Sequence, residues 1–199
     1  MKKNLLFPLL AILGATLLLA VLPTEADAAI YTDTIRLHVL ANSDSAEDQA
    51  TKLAVRDDLL LTYAKDLGSF RTMKEAEDEV CRLLPKMRAH VNSFLARRGA
   101  DYGAEVTFSV EWYETREYEK FTLPAGYYPS LRVLLGRAEG KNWWCVMFPP
   151  LCLDIATEDA PEDDGLGAYS KCERALITGE YRVRFKLLEM VSGAFREKR

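Results

Sequence analysis

The stretch Asn142–Asp154, NWWCVMFPPLCLD, decides how the rest of this chain is read. It is apolar on both alternating faces from Trp143 to Phe148, which suits a strand covered on both sides. Pro149 and Pro150 cannot donate to a ladder, so the strand must end or bend there. Cys145 and Cys152 flank the bend, and a turn at Phe148-Pro149 would set them opposite each other. A disulfide between them would contribute about 2–3 kcal/mol by loop closure. Buried free thiols are the competing reading. Apart from these two thiols and Asp154 the stretch offers no nucleophile or general base, and it holds no complete metal set. By itself it specifies a core and a staple.

Upstream, Gly136–Gly140 turns the chain into this strand, and Leu131–Leu135 reads as a second buried strand. Val106, Phe108, Val110 and Trp112 alternate with polar partners, the pattern of a half-buried strand. Two or three antiparallel strands joined by short loops are expected here. IRLHVL, Ile35–Leu40, alternates as well, with Ile35, Leu37 and Val39 on one face and Arg36 and His38 on a less buried one.

Two helices separate these strands. The first starts at the cap formers Asn42, Ser43, Asp44 and Ser45, with Asp48 in the place of a capping-box acid, and runs to about Leu67. Ala46, Ala50, Leu53, Leu60, Ala64 and Leu67 lie at the spacing of a buried stripe. The second is capped by Thr72 with Glu75, buries Ala76, Val80, Leu83, Leu84, Met87, Val91, Phe94 and Leu95, and stops at Gly99. Pro85 lies inside it, and His90 is placed on its outer face. The acidic stretch 158–167 reads as a loop and lacks the spacing of an EF-hand. The last segment, 180–199, ends as an amphipathic helix. Helices packed on a mainly antiparallel or mixed sheet make an α+β two-layer domain.

The start of the chain reads as a targeting segment. Lys2 and Lys3 precede an uncharged stretch from Leu5 to Leu22, and Ala26-Asp27-Ala28 fits a small-residue cleavage pattern. Cleavage after Ala28 leaves 29–199 as a single extracytoplasmic domain. A retained anchor is the alternative, since the apolar stretch is near the lower length limit of a span. The net charge is −4, with no basic field for nucleic acid and no basic amphipathic face for lipid. Four cysteines in an exported chain favour disulfides. Cys81 with Cys172 remains as the second pair. No CxxC occurs and His38 and His90 lie far from the cysteines in sequence, so no zinc site is expected, and no cofactor is expected either.

IRLHVLANSDSAEDQATKLAVRD, Ile35–Asp57, and FTLPAGYYPSLRVLLG with NWWCVMFPPLC, Phe121–Cys152, together resemble the stage II sporulation protein R family of endospore-forming bacteria. In that family glycines recur in the turn before the tryptophans, whereas Ala138 stands mid-turn here. The resemblance implies a signalling protein rather than an enzyme. Such a protein is exported from the forespore into the space between the two sporulation membranes. There it activates a membrane-embedded aspartic protease of the mother cell, which processes the sigma-E precursor. Neither nucleic acid nor a small-molecule substrate is implied. The candidate contact surface is Arg36, His38, Asn42, Asp44, Asp48, Gln49, Lys52 and Arg56. Capping alone would also explain Asn42–Asp48. The competing functions are a secreted hydrolase, using His38 with a carboxylate such as Asp44 or Asp57, and an anchored structural module.

Overall fold

A computed structural model describes residues 6–21, 25–67, 70–118, 121–149, 151 and 166–178. In chain order the elements are α1 (Leu6–Val21), α2 (Glu25–Thr32), β1 (Ile35–Leu40), α3 (Ala46–Leu67), α4 (Met73–Arg97), β2 (Ala104–Tyr113), β3 (Arg116–Glu117), β4 (Thr122–Leu123), β5 (Gly126–Leu135), β6 (Asn142–Phe148) and α5 (Lys171–Thr178). The chain divides into two compact units, one of residues 30–112 and 127–170, the other of 1–29, 113–126 and 171–199. Helices and a mixed four-stranded sheet make the α+β class expected from the sequence.

The larger unit holds that sheet, in the order β2-β5-β1-β6. β1 is parallel to β5 and antiparallel to β6, so it sits between two strands that the sequence reading joined as neighbours. The reason is burial. IRLHVL is covered on both faces from Ile35 to Val39, and a strand with two covered faces belongs inside a sheet. The tryptophan strand β6 instead lies at the sheet's end among the described strands. It stops at Phe148, where the Phe148-Pro149 peptide is cis.

One face of the sheet carries Ile35, Leu37, Val39, Leu131, Val133 and Leu135 into a core shared with α3 and α4. Helix α4 contributes Ala76, Val80, Leu83, Met87, Val91 and Leu95, the stripe its spacing predicts. Its cap also forms as expected. The Glu75 amide donates to the Thr72 hydroxyl at 3.3 Å, and the Glu75 carboxylate accepts from the Arg71 amide at 3.0 Å. His90 is not on an outer face. It pairs with Asp58 of α3 and meets the Tyr63 ring edge-on, because this side of α4 abuts α3. Cys81 is exposed and free, which removes the expected pairing with Cys172.

Helix α3 has the expected bounds but a different buried face. Ala46, Ala50 and Leu53 are exposed, while Asp48, Thr51, Lys52, Val55, Leu59, Leu60 and Tyr63 are buried. The periodicity is helical in both readings, but the first two turns turn a polar edge inward. On β2 the alternation also breaks: Val110 is 63% exposed and lies beside neither helix core.

In the smaller unit β3 and β4 form a two-stranded antiparallel ladder, Arg116 opposite Leu123 and Glu117 opposite Thr122. The Ala125 amide donates to the Thr115 hydroxyl at 3.1 Å, and α5 packs on β4. Among the described residues no helix is long and apolar enough to cross a membrane. The expected Cys145–Cys152 staple, the acidic loop and the final amphipathic helix fall wholly or partly outside the described residues.

Candidate functional site

The eight candidate residues fall into two groups, set by where β1 ends and α3 begins. Arg36 and His38 point away from the helix core, yet neither is on a weakly buried face. Arg36 is fully buried, its guanidinium 5.1 Å from the centre of the Tyr128 ring. His38 is stacked on Trp144 with ring centres 3.9 Å apart. Its register partners are Arg132 on β5 and Trp144 on β6. Burial lowers the His38 pKa to about 4; the nearby Arg132 and Arg36 charges act the same way, and hydrogen bonding with Asn142 opposes them. The imidazole is therefore neutral at ordinary pH.

The second group ties two turns together. Where β1 ends, Asn42 uses both ends of its amide. Its Oδ1 accepts from the Arg137 amide at 3.0 Å, and its Nδ2 donates to Asp48 at 3.0 Å. The Gly140 amide donates to the Ala41 carbonyl at 3.0 Å, and the Lys141 amide to Asp44 at 2.7 Å. Lys52 reaches from α3 to the Lys141 carbonyl at 3.1 Å and to Gln49 at 2.8 Å. Gln49 in turn donates to the Ser43 carbonyl at 2.9 Å. The β5–β6 turn is thus fastened to the β1–α3 turn from both sides.

Glycine is required at two points of this junction. A Cβ on Gly136, whose φ is +55°, would lie 2.3 Å from Asn42 Oδ1, and one on Gly140 would lie 2.2 Å from the Ser43 carbonyl oxygen. Ala138, between them, has a φ of +54° and takes the left-handed conformation without being glycine.

Asp48 is the hub. Ser43, Asn42 and the Tyr102 hydroxyl, at 2.6 Å, all donate to its carboxylate, while its own amide caps on Ser45 at 3.1 Å. The hydrogen bonds from Ser43 and Tyr102 hold its pKa down at about 2, against the opposing effect of burial. Tyr102 is pushed up, first by burial and then by this bond. Burial and the neighbouring Arg56 charge lower Lys52. A polar cleft of about 410 Å³ opens beside this hub, walled by Glu47, Thr51, Arg98 and Asp101.

Of the eight, Arg36, His38, Asp48 and Lys52 are buried, Asn42, Gln49 and Arg56 are half-buried, and Asp44 is exposed. Arg56 lies 4.9 Å from the centre of the Trp143 ring and pairs with Asp57 at 2.6 Å. His38 is not brought to either proposed carboxylate, since Asp44 serves the Lys141 amide and Asp57 serves Arg56. Glu111, the acid that acts on His38, is engaged by Arg132 at 3.0 Å and Ser109 at 2.8 Å. Among the described residues no cluster of histidine, cysteine or acids could hold a metal ion. Sequence reasoning left Tyr102 and Lys141 out of the site, and it read Ser43 only as a cap former and Gly136–Gly140 only as a turn. The glycine spacing around Ala138 was the available signal.

A family model described as Stage II sporulation protein R matches residues 31–158, from just before β1 to beyond β6 and over more than half of the chain. The chain belongs to the stage II sporulation protein R family. The stage II sporulation protein R of Bacillus subtilis (strain 168) is 37% identical over 133 residues, covering 65% of this chain and 58% of that relative. No solved structure matches. The matched span contains the whole four-stranded sheet, α3, α4 and the fastened turns.

Proposed function

We propose that this member of the stage II sporulation protein R family is an exported signal that acts by contact. Made in the forespore and cleaved after Ala28, it works in the space between the two sporulation membranes. Its partner is a membrane-embedded aspartic protease of the mother cell, and its effect is processing of the sigma-E precursor. The observation that carries the reading is the family match over the sheet and both long helices. The site geometry agrees with it, because the polar residues brought together hold turns rather than poise a proton transfer. A ligand shifts its receptor only through stronger contacts with the active state, and a rigid surface supplies these at low ordering cost. On this reading the outward members of the candidate set, Asp44, Gln49 and Arg56, form the contact, and the buried members hold them in place.

Closure of Cys145 on Cys152 belongs to the same proposal. It is supported by the burial of Cys145 close to the point where β6 ends, and by the free, exposed state of Cys81. The hydrolase reading would need His38 to meet a substrate, and its burial against Trp144 opposes that.

Co-expression of the chain with the protease and its sigma precursor tests the proposal. Precursor cleavage is expected only when the chain is exported. Cleavage without the chain, or with a form confined to the producing compartment, would overturn it. The mass of the released protein distinguishes a chain that starts at Ala29 from an anchored one.

A further inference from the structure

Strand β2 ends the sheet among the described strands, and its ten residues contain neither lysine nor proline, the usual guards of an exposed edge. Its outward groups can be identified. The Gly103 carbonyl accepts from the Gly136 amide at 2.9 Å, so residue 103 faces β5. At Ala104 both backbone groups face the other way. The Asn92 side chain donates to its carbonyl and accepts from its amide, each at 2.9 Å. An amide side chain thus occupies the place of a neighbouring strand at Ala104. By the alternation of a strand, the backbone groups of Val106, Phe108, Val110 and Trp112 face the same open side.

The same residues send their side chains to the helix side of the sheet, since Ala104, Val106 and Phe108 join the helix-packed core. Beyond the helices this face stays open: Val110 is 63% exposed, Tyr127 is 59% exposed, and Trp112 meets Tyr127 edge-on. Nearer Asn92, a largely apolar groove of about 400 Å³ runs between α4 and β2, lined by Leu84, Pro85, Ala89 and Val106. Arg88 stands on its wall, exposed and without an ion-pair partner among the described residues.

We propose that this edge and groove bind an extended segment of a partner protein, which adds as a strand beside β2. Its groove-facing side chains would be apolar apart from one acid placed to reach Arg88. The open backbone groups require a strand, the groove selects alternate apolar side chains, and the unpaired guanidinium selects the acid. A second copy paired antiparallel would leave Arg88 without an acid. If β2 paired with its own copy in a continuous sheet, the groove-side residues would again be Ala104, Val106, Phe108, Val110 and Trp112, which carry no charge. Glu105 and Glu111 would point to the opposite face. The inference does not depend on the protease reading, and its test needs no protease.

The test uses the purified full chain and a short acetylated peptide alternating threonine and valine, with one central valine replaced by glutamate. Amide hydrogen exchange at residues 106, 108, 110 and 112 should be fast in the free protein and slowed by the peptide. Replacing the peptide's glutamate by lysine should weaken binding roughly five-fold, and Arg88→Glu should reverse that preference. Val110→Pro removes one outward N–H and should weaken binding about ten-fold without loss of the fold. Exchange already slow in the free protein at all concentrations would show the edge covered by the chain's own residues and overturn the proposal. Protection that grows with protein concentration would show a second copy and overturn it equally. Equal binding of the two peptides would remove the role given to Arg88.

Discussion

Helix α4 and the segment Arg36–Lys52 both bury side chains, by opposite means. Helix α4 places a continuous apolar stripe on the sheet and keeps its lysines and arginines exposed. The other segment buries a guanidinium and an imidazole on β1, at Arg36 and His38, and a carboxylate and an ammonium on α3, at Asp48 and Lys52. Oil can be packed in many arrangements, whereas hydrogen-bonded polar groups admit few. The two regions therefore serve the fold differently: α4 supplies general stability, and the polar residues after β1 fix the relation of two turns.

The largest effect should come from the apolar side. Met87→Ala removes a fully buried side chain facing the sheet and should cost roughly 2–5 kcal/mol in denaturant unfolding. The polar side should show itself through pH. Unfolded histidine takes a proton near pH 6.5, but folded His38 refuses it until about pH 4. Stability should therefore be full above pH 6.5 and fall by about 3 kcal/mol as pH drops to 4. His38→Phe, which keeps an aromatic ring against Trp144, should flatten that slope.

Asp48 answers at lower pH. Its folded value of about 2 lies below the ordinary 3.8, so its contribution is present above pH 4 and lost as pH falls through 2. Asp48→Asn should cost about 2 kcal/mol at neutral pH, and its unfolding should be less sensitive to acid below pH 4. The smallest effect should be a gain. Ala138 holds a left-handed φ of +54°, and Ala138→Gly should stabilise the chain by about 1 kcal/mol in thermal unfolding.

The legible part of the fold was the part held by apolar periodicity. The stripe of α4, its cap at Thr72 and its stop at Gly99 follow from spacing and caps alone. The bounds of α3 were equally plain, because Ser45 starts it and Leu67 ends it. Its inward face was not, since the inward residues of its first turns are Asp48, Thr51 and Lys52, and their partners Tyr102 and Lys141 are distant in sequence. The same limit hid the place of β1. Alternation reports local exposure but not which strands flank it, and the chain inserts β1 between β5 and β6 from far upstream. At the candidate site, sequence marked polar residues from Arg36 to Arg56 without separating their positions in the fold. Only three-dimensional geometry separates the members that hold the turns from those that face outward. Charge reversal at Lys52 would therefore test folding, while Arg56→Glu acts at a half-buried rim beside Trp143.

If the protein acts by contact, as proposed, its buried histidine serves the fold alone. Sigma-precursor cleavage in cells exporting the His38→Phe chain, at matched levels of folded protein, tests it most directly. Cleavage close to that with the unaltered chain is expected. Folded, exported His38→Phe protein that leaves the precursor intact would contradict it.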